Sequence, residues 1–292
     1  MIVSLKDIFN QYPNKCAAAF NVHGYEDARA VIDAAESLGD PVILMTNKAA
    51  VEYMTIPVLA SLLREMADKS AVPVCVHLDH ATELENIHKA VECGYTSVMF
   101  DGSQLPYEKN AELTACVCDM AHPYGVSVEA EIGSVGYTDP AIAAKTVYTE
   151  PWEAEKFYAD TGVDALAVSV GTVHRQVVQD AKLQFERLDA IRAATKVPLV
   201  IHGSTSVRDN ELTLLAKHGV KKINLGTCLR LRFGSELRHV LAEDDKIFDR
   251  LEMFRRVLPA VEEEARKKMR LLDAGEKDRN QRIDKPDGCV IS

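Results

Sequence analysis

No run of this chain approaches the roughly 20 consecutive apolar residues of a membrane span, so no membrane partner is expected. The opening stretch MIVSLKDIFN has neither a basic n-region nor a long apolar core, so no secretory leader is read there and a cytoplasmic location is expected. Positive charge is scarce: 34 Lys and Arg face 44 Asp and Glu, a net charge of −10. A nucleic-acid or anionic-membrane partner would select a basic face, and this balance argues against one. A small anionic substrate stays open, because a local site can be positive on an acidic protein. The seven cysteines are odd in number and without framework spacing. Most sit inside apolar runs such as VPVCVH and LTACVCDM, where they read as buried small hydrophobes of a reducing compartment. Cys116 and Cys118 are no zinc knuckle, since no second pair follows. A Pro/Gly/Ser-rich linker is also missing. One domain over 1–275 is therefore expected, followed by a polar, loose tail over 276–292.

What is present is a repeat of short apolar runs. They lie at 17–22, 41–46, 72–80, 96–102, 126–133, 165–171, 198–203 and 222–227, rich in Val and Ile and nearly continuous in hydrophobicity. Strands covered on both faces read this way, whereas half-solvated antiparallel strands alternate. Between them lie helical patterns such as YEDARAVIDAAESLG and ELENIHKAVECG. Gly39, Gly94, Gly125, Gly162 and Gly219 each fall just before a strand, as the helix-to-strand turn requires. Eight such units predict an α/β fold, a (β/α)8 TIM barrel, with additional C-terminal helices from 229 to about 272. Helices beyond the eighth strand often pack on a partner subunit, and a homodimer or homotetramer is expected.

Parallel strands put their C-terminal ends on one rim, where barrel enzymes build their sites. Four run ends there carry Asp79-His80, Glu131, His174 and His202. Three imidazoles at one rim suit a divalent ion, Zn²⁺ above all, with one position left for a substrate oxygen. Asp79 would ligate it or shuttle a proton. Neighbouring strand residues face opposite sides, so Asp79 and His80 need a strand-end twist to share a site. Asp101 and Glu131 end the fourth and fifth runs; each would bind a second metal, orient a ligand histidine or cap the next helix. The last two run ends read HGSTS (202–206) and NLGT (224–227). Gly203, Thr205, Asn224 and Thr227 there form an anion cradle for a phosphate. The remaining histidines have plainer roles. His88, His122, His218 and His239 fall in helices or helix ends, His77 reads as a hydrogen-bonded core residue, and His23 follows the first strand and could face the site.

At these residues the chain resembles the class II, zinc-dependent fructose/tagatose-bisphosphate aldolases. The pieces that carry the resemblance are AFNV, PVCVHLDHA, SVMFDGS, VEAEIGSVG, the long stretch YTEPWEAEKFYADTGVDALAVSVGTVH, PLVIHG and KINLGT, in that order. The resemblance implies reversible aldol cleavage of a ketose phosphate or bisphosphate through a zinc-stabilised enediolate, releasing dihydroxyacetone phosphate and an aldehyde. It makes Asp79 the proton-transfer residue and His80, His174 and His202 the zinc ligands. Asp101 and Glu131 fall where the family has carboxylates behind the ligands or at an alternate metal. Gly203, Thr205, Asn224 and Thr227 fall where it holds the ketose phosphate. An alternative reading is a sugar-phosphate epimerase or isomerase using the same chemistry without cleavage. A Schiff-base aldolase would need a lysine at a strand's C-terminal end; Lys221 and Lys222 precede the eighth strand, toward the opposite face.

The departures lie around the substrate. Arg175 stands where the family keeps a glycine whose backbone helps bind phosphate and a monovalent cation. Ser204 and Ser206 replace two glycines, Gly226 replaces an Asp or Ala, and Tyr137 replaces a glycine. The metal chemistry reads as intact and the substrate pocket as remodelled, with Arg175 a substrate-binding candidate.

Overall fold

The computed structural model describes residues 1–137, 146–174 and 178–283. Eight parallel strands close into a barrel. In chain order they are Ala17–Asn21, Val42–Thr46, Val74–Ala81, Ser97–Phe100, Ser127–Ile132, Ala165–Val168, Leu199–Ile201 and Lys222–Leu225. Each pairs with its neighbour in sequence, and the eighth returns to the first with Ala17 beside Lys222. The architecture is the (β/α)8 TIM barrel that the repeated runs imply.

Alternation along each strand divides two cores. In the third strand Val74, Val76 and Leu78 face outward into the apolar layer under the helices. Cys75, His77 and Asp79 take the opposite face, toward the barrel axis. The lower interior is apolar, with Ala17, Ile43, Met45, Ala165 and Val200 clustered there. Helix α1 (Leu5–Gln11) closes that end by placing Leu5, Ile8 and Phe9 in the same cluster. Its start is set by Ser4, whose hydroxyl accepts from the Asp7 amide while Asp7 accepts from the Ser4 amide. Farther up the axis the side chains become polar and charged.

The five turn glycines all adopt left-handed backbone, with φ of 69, 84, 70, 67 and 86° at Gly39, Gly94, Gly125, Gly162 and Gly219. Strand ends differ from the apolar runs. The sixth strand stops at Val168 because the next residue leaves the ladder: the Ser169 amide donates to Thr149 Oγ1 at 2.9 Å and its hydroxyl to the Ser134 carbonyl at 3.0 Å. The C-terminal helices are Thr227–Glu243 and Arg250–Ile283. The latter buries Val257, Val261, Ala265, Met269 and Leu272, one helical stripe. It continues past residue 275, where the sequence reading begins its tail. Lys15 ties this helix to the barrel through Asp40 and Asp273. No helix of the described residues is long and apolar enough to cross a membrane.

Candidate active site

Asp79 and His80 share the site because the third strand is irregular. Its ladder with the fourth strand shifts register between Leu78 and Ala81, and His80 takes a left-handed φ of 51°. That backbone costs a non-glycine residue roughly 1–2 kcal/mol. Here it turns His80 to the same side as Asp79, which a regular pleat forbids. The strand-end twist expected from the sequence is this bulge.

His80, His174 and His202 come together as expected, each offering a ring nitrogen within 4.8 Å of the others. The Nδ1 of His80 lies 2.7 Å from Asp101 Oδ2. Since an ionised carboxylate only accepts, His80 donates there, which leaves Nε2 as the ring nitrogen it can turn toward the site. Asp101 is itself held by the Ser103 amide and hydroxyl, at 3.1 and 2.7 Å. His202 is fully buried, and its Nε2 lies 3.0 Å from Glu129 Oε1. Its Nδ1, 3.0 Å from Glu131 Oε2, has no hydrogen-bond partner, and neither has that carboxylate oxygen. Two orphaned buried atoms, three imidazoles and surrounding carboxylates fit a divalent cation with nitrogen ligands.

Burial and the carboxylates around the imidazoles dominate their electrostatics. Burial opposes charge on His80, but Asp79 and its hydrogen bond to Asp101 outweigh it and raise its pKa well above the usual imidazole value. His174 is lowered well below that value by burial and by its two imidazole neighbours. Burial would raise Asp101, yet the hydrogen bond and charge of His80 hold it below the ordinary carboxylate range. The site is acidic around three imidazoles, a field that favours a cation.

Asp79 is only 2% exposed. Asn21 Nδ2 donates to its Oδ2 at 2.9 Å and Asn224 Nδ2 to its Oδ1 at 3.1 Å. Burial disfavours its charge, but His80, His202 and Lys222 together lower its pKa. The result is an ionised carboxylate clamped by two amides beside the histidines.

Above this floor opens a cavity of about 440 Å³ whose lining includes Asp79, His80, Asp101, Glu131 and His174 as well as Gly203, Thr205, Asn224 and Thr227. Gly203 has φ 67°, and a Cβ there would sit 2.9 Å from the Val173 carbonyl, so only glycine fits without strain. Thr227 opens a 17-residue helix, and with Gly226 it lines the same cavity. Ser204 and Ser206 are buried ties: Ser204 donates to the Asn224 carbonyl, and Ser206 Oγ accepts from the Val173 amide at 3.2 Å. Arg175 lies outside the described residues.

The other histidines fall as expected or elsewhere. His77 is fully buried with Nδ1 2.8 Å from Ser97 Oγ, and burial followed by the Lys222 charge lowers it to about 3. His122, His218 and His239 pair with Asp164, Asp189 and Glu243 at 2.9, 2.8 and 3.2 Å. His23 lines a neighbouring cleft with Tyr25, Phe233 and Phe254 and not the cavity above the histidines.

Several residues of the site escaped sequence reading. Asn21 ends the first strand within the motif AFNV, and that strand-end position was its signal. Glu129 shares a face with Glu131 by simple alternation in SVEAEI, so finding one implied the other. Lys48, Gln104 and Arg230 also line the cavity without a distinctive sequence mark. Lys222 needs a correction. It does not precede the eighth strand but begins it, and its side chain is fully buried on the axis, with Nζ 2.7 Å from Asn224 Oδ1.

Known proteins resemble this chain over most of its length. Residues 3–277 match the family described as fructose-bisphosphate aldolase class-II. A fructose-bisphosphate aldolase of Geobacillus stearothermophilus is 36% identical over 256 residues, covering 85% of this chain and 88% of that one. A 6-phospho-5-dehydro-2-deoxy-D-gluconate aldolase of Shouchella clausii is 35% identical over 263 residues, covering 88% and 89%. The crystal structure of the YdjI aldolase from Escherichia coli K12 superposes with a TM-score of 0.82 at 32% identity, covering 95% and 99%.

Proposed function

Because the chain belongs to the class II fructose-bisphosphate aldolase family, we propose that it is a zinc-dependent aldehyde-lyase. It would cleave a ketose phosphate or bisphosphate reversibly into dihydroxyacetone phosphate and an aldehyde. The observation that carries this reading is the buried, doubly clamped Asp79 carboxylate beside three converging imidazoles, under a cavity with an anion cradle. His80, His174 and His202 would hold the ion, and nitrogen donors favour zinc over magnesium. When bound, such an ion supplies positive charge that polarises the ketose carbonyl and stabilises the enediolate charge.

The protein's own groups supply the rest. Asp79 accepts the proton of the C4 hydroxyl as the C3–C4 bond breaks and its electron pair moves toward the carbonyl. Asn21 and Asn224 hold both carboxylate oxygens, so the proton is received on the face toward the cavity. Asp101 and Glu129 aim two of the imidazoles. Gly203, Thr205 and Thr227 receive the phosphate, Thr227 with the first turn of its helix behind it. The lysine on the axis is sealed between Glu129 and Asn224, which disfavours a Schiff-base route. Assembly as a homodimer or homotetramer is part of the same reading, and light scattering checks it.

The test is a screen of ketose mono- and bisphosphates with added zinc, reading aldehyde release. Acid-bearing sugar phosphates belong in it, since one relative is named for a phosphorylated deoxygluconate. Epimer formation without free aldehyde would replace cleavage by the epimerase reading.

A further inference from the structure

Beneath the cavity floor, the barrel axis carries a branched hydrogen-bond tree with Lys222 at its root. Lys222, Glu129 and His202 are all fully buried. Lys222 Nζ donates to Glu129 Oε1 at 3.1 Å and lies 2.8 Å from Oε2. It also donates to Asn224 Oδ1 at 2.7 Å. One branch then runs from Asn224 Nδ2 to Asp79 Oδ1 at 3.1 Å, and the other from Glu129 Oε1 to His202 Nε2 at 3.0 Å.

We propose that Lys222 is a positioning residue for the reaction: its ammonium holds the Asn224 amide in the one orientation that clamps Asp79. The roles of Asp79 and His202 rest on the aldolase reading above; the geometry does not. An ammonium has donors and no acceptor, and an ionised carboxylate has acceptors and no donor. The Asn224 side chain between them must therefore point its oxygen at Lys222 and its NH₂ at Asp79. The reversed amide would set NH₂ against ammonium and carbonyl against carboxylate. Once Asp79 has taken a proton, its own preference for that orientation weakens, and Lys222 alone maintains it through the turnover. Neutralising Glu129 needs only the ion pair. The contact to Asn224 is additional, and it links the pair to the proton-transfer residue.

Removing Lys222 alone would leave Glu129 as an uncompensated buried charge and could prevent folding. The decisive protein is the double variant Glu129→Gln/Lys222→Met, which removes both charges and leaves the carbonyl of the introduced amide to accept from His202 Nε2. It should keep its circular dichroism and its zinc content. Its kcat should fall by roughly 10²-fold with KM changed little, the scale expected when a reacting group is slightly misplaced. Independently of activity, the side-chain ¹⁵N amide signal of Asn224 should be protected from solvent exchange in the wild type and lose protection in the double variant. A double variant with wild-type kcat and a protected Asn224 amide would reduce Lys222 to a counter-charge. Loss of zinc together with turnover would also overturn the proposal, by placing the whole effect on His202. If no sugar phosphate is cleaved even by the wild type, the aldolase reading fails while the amide measurement still decides the clamp.

Discussion

Replacing Asp79 by Asn should remove turnover while leaving the protein folded and metal-loaded. The change is nearly isosteric, but one carboxylate oxygen becomes an NH₂ that must face a former donor. Asn224 cannot turn to accept, since Lys222 holds its oxygen at 2.7 Å. Asn21 can turn: its Oδ1 is buried without a partner, and a flipped amide would accept from the new NH₂. The loss of two charge-assisted hydrogen bonds, roughly 1.5–3 kcal/mol each, is offset by no longer burying a carboxylate and by the bond that Asn21 remakes. Stability should therefore change little. Losing a positioned base typically costs about 10²–10⁴-fold, or roughly 2.7–5.4 kcal/mol at about 1.36 kcal/mol per decade. The assay is kcat on the best ketose phosphate, by aldehyde trapping, with metal content measured on the same sample. Turnover within tenfold of wild type at full zinc would refute the base assignment. Loss of zinc with activity restored by excess metal would make Asp79 a ligand instead.

Further expectations rest on the described geometry and, for Arg175, on the sequence alone. His202→Ala should lose bound zinc and turnover together, and chelation of the wild type should lower its melting temperature; full metal and full activity in the variant would sink the ligand assignment. Gly203→Ala forces a Cβ against the Val173 carbonyl at φ 67°, costing roughly 1–2 kcal/mol and raising KM for phosphorylated substrate; an unchanged melting temperature and KM would contradict the tight approach. Asp40 is raised to about 6, by burial first and by Asp273, against the pull of Lys15. A raised carboxyl contributes stability below its unfolded value near 4 that is lost as pH rises through about 6. The melting temperature of Asp40→Asn relative to wild type should therefore climb between pH 4 and 7, and a flat difference would refute this. Arg175→Gly should lose activity on the best substrate from the screen and lose less, or gain, on fructose 1,6-bisphosphate; equal small changes on both would remove Arg175 from specificity.

The barrel was legible because its signal is local and repeated. Eight Val/Ile runs, helical patterns between them and a glycine before most strands each express one unit's need to bury a strand on both faces. The rim residues were legible for a related reason. In parallel topology the end of a strand is a place in space, so Asp79, His80, Asp101, Glu131, His202 and Asn224 could be set on one rim by counting along the chain.

Two things were not local. The bulge that turns His80 beside Asp79 depends on how the third strand registers against the fourth, and both registers are compatible with VHLDH. Lys222 was assigned by its backbone position at the far end of a strand, yet a four-carbon side chain spans the distance to Asn224 up the axis. Glu129, buried one layer below Glu131, is tolerable only because Lys222 and His202 meet it from strands far away in sequence. Local pattern alone sufficed for which residues reach the rim, since hydrophobic periodicity and strand direction are properties of short segments. Which of them are joined, and in which hydrogen-bonding orientation, was settled by closure of the barrel. Buried charges must find partners across the axis, and those partners come from strands that no stretch of sequence places side by side.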